Sequence, residues 1–196
     1  MNIDYKMLDA TLLSTMKHSP LYNYAGIPGL TSWLIGNSNQ SDNRGRVRLM
    51  TCERNHHEVI IPHSHRFDFQ CVVLAGKVIN SIWSEDPSGD EFIETILTYC
   101  DTPGDYSKTV LSTPKKYKQG FMKYEAGQSY SMSSNQIHSI EFYRDTAVLF
   151  LEGPAQTIDT KIIEPFYRGV RVPTFKVEPW MFSRTWGEVG HDQEKK

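Results

Sequence analysis

From Arg46 onward the chain is a succession of short β-forming runs broken by turn residues, and no other feature limits the fold as much. The runs cover 46–53, 57–63, 66–74, 76–84, 91–99, 119–125, 128–132, 137–143, 146–153 and 157–163. They are rich in β-branched and aromatic residues and recur at roughly ten-residue spacing. Residues 31–35 add a short strand before a polar turn from Asn37 to Gly45. Pro87-Ser88-Gly89-Asp90 predicts a hairpin between the runs on either side. Many short strands joined in this way predict a closed or double-sheet all-β architecture, a jelly-roll barrel.

The ends read differently. Leu8, Leu12, Leu13 and Met16 have helical spacing and predict a short N-terminal helix over 4–17. Pro20 and Gly26-Ile27-Pro28-Gly29 stop it. Residues 101–118, with Pro103-Gly104 and Pro114, read as an exposed loop. After Pro165 the chain is irregular and aromatic, with Phe166, Tyr167, Phe175, Trp180, Phe182 and Trp186. Such a tail is too apolar to hang in solvent and is expected to pack on the barrel or a second subunit. The organisation is therefore a lead-in over 1–45, a barrel over 46–165 and an extension over 166–196. Barrel edges that need covering, together with the tail aromatics, predict a homodimer.

Composition excludes several classes of function. A net charge of −2 over 196 residues, with no basic run longer than Lys115-Lys116-Tyr117-Lys118, argues against nucleic-acid binding. No apolar run reaches the length a membrane helix needs, and Asp4, Lys6 and Asp9 rule against a leader peptide. Three widely spaced cysteines, Cys52, Cys71 and Cys100, form no CxxC pair. They read as free thiols in a reducing, cytoplasmic setting. There is no GxSxG, GxxxxGK[ST] or GxGxxG signature.

What remains is a histidine pattern. His63 and His65 flank Ser64 in a strand-forming stretch, and a lone His138 answers them from a later run. Residues i and i+2 of a strand share a face, about 7 Å apart. A third imidazole from another strand closes a facial set that grips one divalent metal and leaves positions open for a small molecule. If the strand continues without a bulge, Phe67, Phe69, Cys71 and Val73 share the inward face while Asp68 and Gln70 point outward. A bulge after His65 would reverse this and bring Asp68 or Gln70 to the metal as a fourth ligand. Two coordination schemes thus stand: three imidazoles beside a wall of Phe67 or Phe69, or a shell completed by Asp68 or Gln70. Tyr130 and Tyr99 are candidates to orient the ligands, Tyr130 also as a catalytic group. Phe67, Phe69, Cys71, Tyr99 and Phe142 are candidates to line a pocket. Arg48, Arg66 and Lys123 can hold a substrate anion, although surface solvation is the commoner role of such residues. Asp68 is also a candidate partner for Arg66 or Arg144.

These residues resemble the two motifs of the cupin superfamily. In the first, His63 and His65 supply the HxH and Gly76 its closing glycine; His57 replaces the opening glycine, and Phe69 occupies the carboxylate position. In the second, Gly127 opens the motif, Ser133-Ser134-Asn135 replaces the PxG turn, and His138 falls on the histidine. Asn135 suits a turn glycine's place because Asn enters the left-handed region. The stretch from His63-Ser64-His65-Arg66-Phe67-Asp68-Phe69 to Gly76 resembles small bacterial and phage cupins, a likeness that covers about residues 55 to 155.

The resemblance implies a double-stranded β-helix around one metal. Three-histidine cupin sites suit Fe(II), and Zn, Mn or Ni can compete for them. The function it implies is a mononuclear Fe(II) dioxygenase acting on a small molecule, with thiol dioxygenases as mechanistic analogy. Two alternatives stay open: a barrel that binds or sequesters a small metabolite or nucleotide, and a Zn- or Mn-assisted hydrolase or isomerase.

Overall fold

A computed structural model describes residues 20–24, 27–36, 46–55, 61–100, 106–167 and 170–171. They contain β1 (Leu30–Gly36), β2 (Val47–Cys52), β3 (Phe67–Ala75), β4 (Lys77–Tyr99), β5 (Tyr106–Val110) and β6 (Lys115–Glu125). These are followed by β7 (Ser129–Met132), β8 (Ile137–Phe142), β9 (Thr146–Ala155), β10 (Asp159–Tyr167) and β11 (Val170–Arg171). The helix expected over 4–17 and the tail beyond Arg171 lie outside the described residues. Among the described residues no helix is long and apolar enough to cross a membrane.

The period-two pattern builds the first sheet, ordered β1-β2-β9-β3-β7 and antiparallel at every junction. Along β3, Phe69, Cys71 and Val73 are buried while Asp68 and Gln70 are exposed. The second sheet is organised on β4. Its first half lies between β6 and β8, and its second half is flanked by β5 and β10. The two sheets face one another. Met50, Cys52, Phe69, Cys71, Val73 and Met132 from the first meet Val78, Ile140 and Phe142 from the second. Burial of each large apolar side chain contributes about 1.5–3 kcal/mol, so this shared layer dominates the stability. The result is an all-β, double-sheet jelly roll.

Three local expectations are corrected. Pro87-Ser88-Gly89-Asp90 does not turn the chain back, because Glu85 and Asp90 both oppose Tyr117 and β4 runs through as one strand with a four-residue outpouching. Asp86 closes that bulge by accepting from the Ser88 backbone and hydroxyl, each at 2.7 Å. A Cβ on Gly89 would run into the Tyr117 carbonyl, so glycine is needed there. The loop expected over 101–118 instead supplies β5 and the start of β6, because long-range pairing with β4 overrides the weak local signal of Lys, Ser and Pro. The irregular segment expected after Pro165 begins as strand, with Phe166 and Tyr167 still in β10 and paired to β11.

Turn chemistry fits elsewhere. Gly76 links β3 to β4 at φ 67°, where a Cβ would press on Thr146. Asn135 does not adopt positive φ; among the described residues only Asn23 and Asp145 do so without being glycine. The 133–136 turn is closed by hydrogen bonds instead. Gln136 N donates to Ser133 O at 3.1 Å, and Ser133 N donates to Gln136 Oε1 at 2.9 Å.

Candidate metal centre

Two chain segments bring the histidines together. Residues 61–65 enter ahead of β3 and lie along the edge formed by β8 and β10. His63 and His138 oppose each other directly and exchange both backbone hydrogen bonds at 2.9 Å. Ser64 fastens the same segment to β10, donating to Lys161 O and accepting from Lys161 N through its hydroxyl, each at 2.8 Å. His65 N donates to Ser134 O at 3.1 Å, in the turn that leads into β8. This knitting puts one ligand-capable atom each of His63, His65 and His138 within 4.8 Å of one another. The ring centroids are 4.7–5.1 Å apart.

The tautomers suit a metal. His63 Nδ1 donates to Ile61 O at 2.9 Å, and His138 Nδ1 donates to Asn80 Oδ1 at 2.7 Å. Both acceptors are carbonyl oxygens, so the proton stays on Nδ1 and the Nε2 lone pair faces inward. His65 Nε2 and His138 Nε2 stand 2.9 Å apart. Two nitrogens bound to one ion at about 2.1 Å, at right angles, are about 3 Å apart, so this spacing fits a facial site. Burial pushes the His63 imidazole down to about 4. Burial and the neighbouring histidines hold His65 well below the usual range, and burial and His63 do the same for His138. All three are neutral bases at pH 7, which is the form a metal requires. Among the described residues no carboxylate or thiol joins the group. The donors fit one divalent ion.

An aromatic wall covers the group. Phe69 lies 4.7 Å from His65 and 5.4 Å from His138, Phe67 lies 5.3 Å from His65, and Phe150 lies 6.1 Å from it. The ladder also decides between the two coordination schemes. A bulge does occur here, but on β9, where Phe67 opposes Ala155 and Phe69 opposes Glu152. The extra residue belongs to the Gly153-Pro154 stretch, and a Cβ on Gly153 would press on Asp68 O at 2.9 Å. β3 therefore keeps its alternation, and Asp68 and Gln70 stay outside, away from the histidines. Asp68 pairs with neither Arg66 nor Arg144 in the contacts described; its Oδ1 accepts from Ser134 N at 2.8 Å and ties the turn before His138 to β3.

Other expected site residues stand elsewhere. Tyr130 packs on Phe69 and Tyr124, with its hydroxyl against the Cys71 thiol. Burial raises the phenol well above its usual range, with Cys71 adding to the shift, so it is no proton acceptor near pH 7. Burial likewise pushes Cys71 up to about 12, making it an inert core thiol. Tyr99 joins a separate cluster with Ile61, Leu97 and Ile162, and the Arg66 guanidinium sits 3.9 Å over its ring. That contact steadies the segment carrying His63 and His65. Phe142 is four residues along β8 from His138, about 13 Å at strand rise, and belongs to the core with Val78.

One polar feature escaped the sequence reading, and a second is far more buried than its commoner role implies. Asn80, 2% exposed, orients His138 and donates from Nδ2 to Met132 Sδ at 3.4 Å. Its signal was a polar residue at an inward position of an apolar strand, between Val78 and Ile82. Arg48, for which surface solvation is the commoner reading, is 1% exposed and shares the inward face with Met50 and Cys52. Its Nε donates to Glu152 Oε1 at 2.9 Å.

No family model matches the chain, and no curated protein matches it. Solved structures do resemble it. Oxalate decarboxylase of Lactobacillus farciminis, in a formate complex, shows 10% identity and a TM-score of 0.44 over 71% of this chain and 31% of that chain. The chain thus spans about a third of that protein. KdgF from Halomonas sp. shows 12% identity and a TM-score of 0.40 over 71% of this chain and 91% of that chain. An RmlC-like cupin from Shewanella frigidimarina shows 12% identity and a TM-score of 0.39 over 71% of this chain and 86% of that chain. No residue role is taken from any of them. On its own strand order and register, the chain is an all-β jelly roll carrying a three-histidine group suited to a divalent metal.

Proposed function

We propose that this protein is a mononuclear metal enzyme, an Fe(II) dioxygenase acting on a small molecule. The observation that carries this reading is the convergence of three neutral imidazoles within 4.8 Å, two with Nδ1 committed to carbonyl acceptors. Fe(II) held by three histidines would supply open positions for a substrate and for dioxygen. The protein's own residues do the rest. Asn80 and Ile61 O set the ligand orientations, and Phe67, Phe69 and Phe150 keep water from the reacting side. A hydrolase would need a general base beside its activated water. Of the candidates for that role, Asp68 and Tyr130 are committed to Ser134 and Cys71, and Glu141 lies three residues from His138 along β8, on the opposite face of the strand, which favours the oxygenase. A cytoplasmic homodimer is the setting that goes with this proposal.

The test is metal content and O2 consumption of anaerobically purified protein, beside His63→Ala and His138→Ala. Near-stoichiometric iron, absent from both variants, with substrate-dependent O2 uptake is the expected result. Zinc or manganese on the same residues, with no O2 uptake, would point to the hydrolase or isomerase. Absence of metal after reconstitution would overturn the metalloenzyme.

A further inference from the structure

Directly opposed residues on neighbouring strands share a face, so the inner side of the second sheet can be followed row by row across β8, β4 and β6. One row runs Phe142, Val78, Tyr124 and is closed at both ends. Phe142 and Val78 are buried, and Tyr124 stacks on Tyr130 of β7 with ring centres 4.5 Å apart, joining the two sheets at that edge. The rows nearer the histidines open instead. In the row through Asn80, which is 2% exposed, Met122 on β6 is 58% exposed. In the row through His138, the imidazole is buried, Ile82 is half-buried and Gly120 is exposed. A Cβ on Gly120 would meet no atom of the described residues within 4 Å. One row further out stand Ser84 and Lys118, both exposed and polar, which marks a rim.

Gly120 is two strands from His138, about 10 Å away at ordinary strand spacing. Neither it nor Met122 is what an edge strand would take for stability. Glycine in a strand gives up packing and costs ordering entropy, and it marks a place where something else comes close. Methionine adapts its shape to a neighbour and offers a polarisable sulfur to an aromatic ring. No charged side chain stands in the two open rows. On the facing sheet Phe67 and Phe150 are half-buried, as is His65, so the opening is continuous with the histidine group.

We propose that the space beside Gly120 and Met122 seats the aromatic body of the substrate, with its donor atom on the ion held by His63, His65 and His138. The missing side chain at Gly120 admits a flat ring over Ile82, and Met122 flanks it. This substrate class rests on the reading of the three histidines as metal ligands.

The test titrates imidazole and 4-phenylimidazole into Co(II)-loaded protein, followed by the visible bands of the metal. The proteins are wild type, Gly120→Ile, Met122→Ala and Phe121→Ala. Isoleucine suits a strand and places rigid bulk next to the backbone. Phe121 opposes Ser81 on the outer face and serves as the control. Cobalt content and melting temperature are read on every sample. Wild type is expected to prefer 4-phenylimidazole by about tenfold or more, the worth of burying a phenyl group. Gly120→Ile should abolish that preference with imidazole affinity unchanged, and Met122→Ala should reduce it about threefold. Phe121→Ala should change neither. If Gly120→Ile melts early or loses cobalt, Met122→Ala decides alone. A preference unchanged in the deciding variant would overturn the proposal. So would a wild type that binds the two ligands equally or not at all, or an equal loss in Phe121→Ala. Failure of wild type to hold cobalt would instead overturn the metal site, so the two failures are separable.

Discussion

The two faces of the second sheet each bury a polar cluster, and the clusters are built on opposite principles. On the outer face, Glu94 accepts from the Tyr117 hydroxyl and pairs with Lys115 at 3.2 Å and Lys161 at 3.3 Å, while Lys115 reaches on to Glu85 at 2.8 Å. Trp83, Phe92, Ile137 and Ile163 pack around it. Burial pushes the Glu94 carboxyl up, but Tyr117, Lys115 and Lys161 outweigh it and hold it below the usual range. That cluster is complete, since each charge has its opposite. On the inner face, three neutral imidazoles converge, and burial only makes protonation harder. No charge of either sign stands among the three. The comparison teaches that burial of polar groups alone marks no site; what marks one is a set whose needs the protein's own residues leave open.

The contrast can be broken in four ways, taken from the largest effect down. Replacing His138 with alanine should abolish stoichiometric metal binding, read by elemental analysis, whereas Glu94→Gln should leave metal content unchanged. Equal loss in both would erase the distinction.

Acid should destabilise the metal-free protein through the inner cluster. The His63 pKa falls from 6.5 to about 4 on folding, so between those values the unfolded chain binds a proton that the folded chain refuses. Stability is therefore whole above pH 6.5 and declines as pH falls toward 4, by about 3 kcal/mol for this group. Urea melts of metal-free protein at pH 7 and pH 4.5 should show the slope, and His63→Phe should flatten it. A slope unaltered by that substitution would place the acid sensitivity elsewhere.

Glu94→Gln should lower stability by about 2 kcal/mol. This is less than for a fully buried broken pair, because Lys115 and Lys161 are themselves 39% and 35% exposed. Denaturant midpoints measure it, and a neutral result would make the outer network ornamental. The smallest effect belongs to Asn80→Leu, which removes the acceptor that fixes the His138 tautomer. Metal affinity should fall about tenfold, or about 1.4 kcal/mol, in a competition titration with a chelator. Unchanged affinity would mean that backbone pairing with His63 suffices to aim the ring.

Much of this was written in local spacing. Phe69, Cys71 and Val73 share the inward face because β3 alternates, whereas His63 and His65 precede β3 and are aimed by the pairing of their segment with His138, Lys161 and Ser134. Gly76 announced its tight turn. The alternation also implied that Asp68 would miss the metal unless a bulge intervened, but it could not say which strand would carry the bulge. β9 carries it, because Gly153 lets the backbone of β3 approach closely.

By itself, then, the sequence determined an all-β chain and the period-two faces of its strands. Those are properties of residues a few positions apart, where sterics and hydrophobic alternation act directly. The tertiary structure alone decided that β4 would run straight through its Pro-Ser-Gly bulge. It also set Asn80 against His138, 58 residues away, and Arg48 against Glu152, 104 residues away. Such pairs leave no local periodicity to read, because what joins them is the closing of one sheet upon another.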